Sequence, residues 1–211
     1  MSELRNLETL PPSSTTNKDT VNEHVSSGYS LYWKGEYDKA RISFTKLIND
    51  SSTNDKDAAQ CYNALGAIDT ELGNYDEAIV NYQSELKLLK NSNAGYQAIV
   101  KSYIAIGTIY WRKYEYDQAL FYHQKALDLP FDTTSRQTDA QISSIYQRIA
   151  NIYTDKNEYS LAREYFDKAL KIDEELLRDN HPKLGKTYAN MGAMYNKKHD
   201  YEQALNYFTK A

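Results

Sequence analysis

A chain of 211 residues with 41% hydrophobic and 26% charged residues has the composition of a folded protein, which excludes a disordered or membrane-embedded polypeptide. Its net charge of -4, from 25 basic and 29 acidic residues interspersed along the chain, creates no basic field for nucleic acid or an anionic membrane, so neither is expected as a partner. The single cysteine, Cys61, rules out an internal disulfide, and the acidic start MSELRNLETL is unlike a signal or transit peptide; a reducing, cytoplasmic setting is expected.

In chain order, residues 1–19 contain Pro11, Pro12, Ser13 and Ser14 and no heptads, and are expected to form a disordered segment ahead of a folded array over 20–211. Thr20 with Glu23 reads as a capping box opening the first helix. One pattern then returns five times: GEYDKA at 35–40, GNYDEA at 73–78, YEYDQA at 114–119, NEYSLA at 157–162 and HDYEQA at 199–204. The closing alanines lie 38, 41, 43 and 42 residues apart, which predicts repeat units at 21–54, 55–92, 94–134, 138–180 and 181–211, the last incomplete. The second unit shows two stripes stepping by three and four, Tyr62, Leu65, Gly66, Leu72 and Ile79, Tyr82, Leu86, Leu89, separated by the break at Gly73 and Asn74. Each unit is thus predicted to be an antiparallel helix pair. Pro130 is expected to close the second helix of the third unit, Thr138 with Gln141 to form another capping box, and Pro182 after His181 to occupy a first helical position. Residues 51–56 and 130–136 are expected to be exposed connectors.

Twelve residues before the alanines stand Gly28, Gly66, Gly107, Ala150 and Gly192. Small residues at this spacing suggest close approach of the paired helices, with the alanines Ala40, Ala78, Ala119, Ala162 and Ala204 facing them. A leucine at Ala119 is expected to overpack the contact by about 1–3 kcal/mol. Tyrosine fills 20 of the 211 positions, and sixteen of these recur at fixed places in the unit, which argues for packing between helices rather than a base-stacking platform. Asp69 interrupts the series Tyr110, Tyr153, Tyr195 and is expected to be exposed or locally paired.

A small residue, a tyrosine, a turn, then Tyr-Asp/Glu-x-Ala followed by an aromatic resembles the tetratricopeptide repeat family throughout 21–211. The recurrence near 42 residues, against about 34 in the usual unit, is similar to the longer variety in kinesin light chains, above all over 179–211. The resemblance does not extend to the coiled coil those proteins carry ahead of their repeats. It implies an all-α, right-handed α-solenoid of about five antiparallel helix pairs, with first helices lining a concave groove for an extended or helical peptide. Carried onto this chain, the groove comprises Asn63, Lys101, Thr108, Arg112, Gln147, Arg148, Asn151, Lys186 and Asn190, with Thr70, Glu71, Asp155 and Lys197 on the same face. The amides suit a peptide backbone and the cations a carboxylate, although all these residues also suit a solvated helix face. The carboxylate clamp of chaperone-binding members is matched only in part by Gln147, Asn151 and Asn190.

No enzyme is expected, and no cofactor or metal: His24, His123, His181 and His199 are scattered, no phosphate loop or nucleophile elbow occurs, and Cys61 beside Tyr62 reads as a small buried residue. The expected function is a scaffold binding a protein or peptide partner. The alternatives are a self-associating module, motivated by the uncapped fifth unit at Ala211, or the targeting array of a larger multidomain protein.

Overall fold

The computed structural model describes residues 17–51, 53–92, 95–130, 136–177 and 181–211, and side chains from residue 23 onward within them. These residues form ten helices: α1 (Asn17–Trp33), α2 (Tyr37–Asn49), α3 (Asp55–Leu72), α4 (Tyr75–Asn91), α5 (Tyr96–Arg112), α6 (Tyr116–Leu127), α7 (Arg136–Asp155), α8 (Tyr159–Leu176), α9 (Pro182–Lys197) and α10 (Tyr201–Lys210). Each odd-numbered helix turns back through a tight connector onto the even-numbered helix that follows, and each even-numbered helix packs on the next unit's first helix. First helices also touch one another, at α1 and α3, α5 and α7, and α7 and α9, whereas no pair of second helices makes a comparable contact among the described residues. The first helices therefore form the inner rim of a curved stack.

The turn inside each unit is set by one residue in the left-handed region: Gly35 at φ 75°, Gly73 at 79°, Tyr114 at 61°, Asn157 at 62° and His199 at 63°. The next amide then reaches back to close the helix, as in Glu36 to the Leu31 carbonyl at 3.0 Å and Glu115 to the Tyr110 carbonyl at 2.9 Å. Glycine supplies this conformation without steric cost in the first two units, while Tyr114 and His199 hold it against the clash of their own Cβ.

Each glycine of this series has an aromatic ring as its nearest neighbour, one turn beyond the alanine expected to face it. A Cβ added at Gly28 would lie 2.7 Å from the Phe44 ring, at Gly66 2.8 Å from Tyr82, at Gly107 2.9 Å from His123 and at Gly192 2.8 Å from Phe208. The ring is the bulk that glycine accommodates. The alanines are themselves buried and let the two backbones close up around it. His123 stands out here: it is fully buried, and neither ring nitrogen has a hydrogen-bond partner.

The recurring tyrosines pack as expected except Tyr201, which is exposed. Tyr110 stacks on Tyr122 at 5.4 Å between ring centroids, Tyr153 on Tyr165 at 5.6 Å and Tyr195 on Tyr207 at 5.3 Å. In unit two the same two places hold Asp69 and Asn81. Asp69 is fully buried, accepts from Asn81 Nδ2 at 2.8 Å and forms an ion pair with Arg41 of the preceding unit, so it is locally paired. Cys61 is buried, and desolvation, followed by the nearby Asp57 charge, pushes its thiol up to about 11. Three apolar clusters run through the stack, each spanning at least two units, and Tyr153 and Tyr165 are shared between the second and third.

Several local expectations change. α7 begins at Arg136, so Thr138 is a buried first-turn residue rather than a cap, and Gln141 Oε1 makes no hydrogen bond. α1 begins at Asn17, which places Thr20 and Glu23 within the helix. The caps that do form are Asn54, which accepts from the amides of Lys56 and Asp57 at 3.0 Å, His181, whose Nδ1 accepts from the Lys183 amide at 3.1 Å beside Pro182, and Asp200, whose Oδ1 accepts from the Gln203 amide at 3.3 Å. Leu72 is 47% exposed and leaves the stripe it was expected to end. Pro130 follows the end of α6 at Leu127 as expected. The expectations for 1–16 and 131–135 lie outside the described residues.

Candidate functional site

The inner rim is tied across units by side chains of the first helices. Arg148 on α7 donates from Nη1 to Thr108 Oγ1 on α5 at 3.0 Å, and the Thr108 hydroxyl donates to the Ile104 carbonyl at 2.7 Å. Burial pushes the Arg148 pKa down. Two turns further on, Asp155 at the end of α7 joins three units: Trp111 Nε1 donates to its Oδ2 at 2.7 Å and Lys197 Nζ to its Oδ1 at 2.5 Å. A charge-assisted bridge of this kind fixes the spacing of α5, α7 and α9 along the curve.

Two other expected groove residues are committed to second helices. Gln147 is buried and donates to Asp173 Oδ2 at 3.0 Å. Asp173 is also fully buried and receives Ser143 and Lys183 at 2.6 Å each, so both carboxylate oxygens are satisfied. Asn63 donates to Glu85 Oε1 at 3.0 Å.

Of the nine residues expected from the sequence, Asn63, Thr108, Gln147 and Arg148 hence have internal partners. The other five divide into exposed cations, Lys101, Arg112 and Lys186, and half-buried amides, Asn151 and Asn190. Two cations on α5 and one on α9, with Asp155 between them already neutralised, leave the rim of units three and five with surplus positive charge. Sequence reasoning missed the tryptophans. Trp33 ends α1 and is 80% exposed, and Trp111 lies in the last turn of α5 beside Arg112, Tyr114 and Asp155. Their signal was present in the sequence: the chain's two tryptophans both fall in the last turn of a first helix.

Stacked helix pairs with an inner rim of first helices define an α-solenoid repeat protein. The tetratricopeptide repeat model matches residues 57–130 and 141–211, and the chain belongs to the tetratricopeptide repeat family. Among solved structures it is similar to BtubC (BKLC) from P. vanneervenii, with 17% identity over 90% of this chain and 86% of that one and a TM-score of 0.72. It is also similar to the apo form of RapI, with 19% identity, 94% and 54% coverage and a TM-score of 0.76, and to MamA, with 20% identity, 87% and 91% coverage and a TM-score of 0.61. These likenesses concern the fold. A comparison with curated proteins finds no match. Among the described residues, no helix is long and apolar enough to cross a membrane.

Proposed function

We propose that the chain is a non-catalytic scaffold whose inner rim holds a peptide segment of a partner protein. Lys101, Arg112 and Lys186 meet acidic side chains or a carboxylate of that segment, and the amides of Asn151 and Asn190 bond its backbone. The observation carrying this reading is the contrast along the rim itself. Neighbouring polar residues are engaged within the fold, whereas these five make no hydrogen bond or ion pair among the described residues. Repeat arrays use such extended concave surfaces for recognition, and tetratricopeptide repeats are in general interaction modules. The spacing near 42 residues supports grouping the array with the long-period, kinesin-light-chain type, and the buried, lone Cys61 supports a reducing, cytoplasmic setting.

Reversal of all three charges, K101E with R112E and K186E, tests the proposal on a partner recovered by co-purification. Affinity should fall by about tenfold or more and the wild-type interaction should weaken with salt. Unchanged affinity in the triple variant removes the groove from the account.

A second reading has its own observation. Tyr201, Leu205 and Phe208 on α10 are exposed apolar side chains, which favours association of this face with a second copy. Light scattering that finds a monomer at every concentration rejects it.

A further inference from the structure

Glu85 breaks the repeat. It stands seven residues after Ala78, where the other units carry Leu47, Ala126, Ala169 and Ala211, yet it is only 6% exposed. Its Oε1 is held by Asn63, while Oε2 makes no hydrogen bond. Ser102 lies close enough to favour the charged form, but its hydroxyl donates to the Ala98 carbonyl, and the dominant influence on the Glu85 carboxyl is burial, which pushes its pKa up. A buried carboxylate with an unused oxygen is costly unless a donor or cation completes it.

The same device occurs complete two units further on. Gln147 occupies the place of Asn63, three residues before the small residue of its unit, and it too bonds a buried acid on its second helix, Asp173, the shorter acid standing one turn further along its helix than Glu85 does. There the next unit sends Lys183 across the junction, with Nζ 2.6 Å from Asp173 Oδ1. Lys183 lies nine residues before Gly192. Nine residues before Gly107 the chain has Ala98, so the junction of units two and three has the acid and the amide without the lysine. A cavity of about 490 Å³ opens at this point, lined by Tyr29, Lys56, Asn63, Glu85, Leu89 and Ala98 among others. Lys56 is exposed and makes no ion pair among the described residues.

We infer that this cavity receives a basic side chain, lysine or arginine, of a protein partner, which completes Glu85 as Lys183 completes Asp173. The inference rests on the proposed peptide-binding role and adds a charged anchor to it, at the amino-terminal end of the rim. The acid-binding cations of units three and five and this base-binding cavity together select a segment carrying both signs of charge.

The test uses two blocked pentapeptides, glycine throughout except for a central lysine in one and norleucine in the other, titrated into the full chain and followed by NMR at the Asn63 side-chain amide. The lysine peptide should give a saturable shift that norleucine does not. Glu85→Gln, nearly isosteric, should weaken it by about tenfold or more, and Ala98→Lys, which supplies the missing lysine internally, should abolish it. Lys56→Met should bind the lysine peptide at least as well as wild type. Equal shifts from both peptides, no shift from either, binding unaffected in Glu85→Gln, or binding seen only once Lys56 is removed would each overturn the inference. If Ala98→Lys fails to fold by circular dichroism, Glu85→Gln still decides. Loss of partner binding in the triple charge reversal with a normal lysine-peptide shift, or the reverse, separates failure of the groove from failure of this cavity.

Discussion

Where α9 and α10 stack Tyr195 on Tyr207, and the two preceding units stack Tyr153 on Tyr165 and Tyr110 on Tyr122, α3 and α4 set Asp69 against Asn81. Each tyrosine stack is formed by the two helices of one unit, whose rings cover each other's apolar faces. The Asp69 arrangement requires a neighbour, because a fully buried carboxylate with one amide partner is incomplete until Arg41 arrives from unit one. The repeat thus prescribes a place between helices without prescribing its chemistry. A polar filling converts packing inside a unit into a specific tie between units, and the same logic runs through Asp173 with Lys183 and Asp155 with Lys197.

The strongest way to break this contrast is Arg41→Met. It leaves Asp69 buried with Asn81 as its remaining side-chain partner and should cost about 3 kcal/mol or more, read from urea unfolding or from hydrogen exchange in α2 and α3. A loss below about 1 kcal/mol would show that Asp69 does not depend on its neighbour. Combining Arg41→Met with Asp69→Tyr and Asn81→Tyr, which installs the stack of the later units, should recover most of the loss.

His123→Phe comes next and has the opposite sign. The other units place Phe44, Tyr82, Phe166 and Phe208 at this position, and the imidazole is buried without a partner for either nitrogen. The variant should gain about 1–3 kcal/mol at neutral pH. Desolvation first, and the Arg148 charge second, hold His123 down at about 3 from an ordinary 6.5. The unfolded chain therefore takes up a proton below pH 6.5 that the folded one refuses until about 3. The contribution of the neutral imidazole is fully present above that window and lost as pH falls through it. The gap between His123→Phe and wild type should widen on acidification, and parallel curves would show that the ring is not buried in its neutral form.

The smallest expected effect is Tyr114→Gly. Tyr114 is exposed and sits at φ 61°, where units one and two use Gly35 and Gly73. Removing the left-handed penalty should raise stability by about 1 kcal/mol, visible as a higher melting temperature. A lower melting temperature would assign the ring a packing role, such as its edge contact with Tyr116.

Much of this architecture was legible from residue spacing. The five turns, the helix pairs and the interior tyrosines all follow from a periodicity that recurs, since each repetition tests the same reading again. Contacts across the helix pair were not legible. Gly66 and Ala78 are both small and read from the sequence as facing residues, but Tyr82, one turn later, is the side chain that enters the space glycine leaves. The groove was half legible for a similar reason. Helical spacing puts Gln147 and Asn151, four residues apart, on one face, and only the position of Asp173 on α8 decides that Gln147 turns inward.

Taken alone, the amino-acid order determined that this is a repeated series of helix pairs, because turn residues and apolar spacing act over distances of a few residues. Tertiary structure decided which polar groups satisfy one another across units, and so which remain for a partner. Those pairings join residues roughly 10 to 44 positions apart, where the register of one helix against the next, rather than local sequence, sets who meets whom.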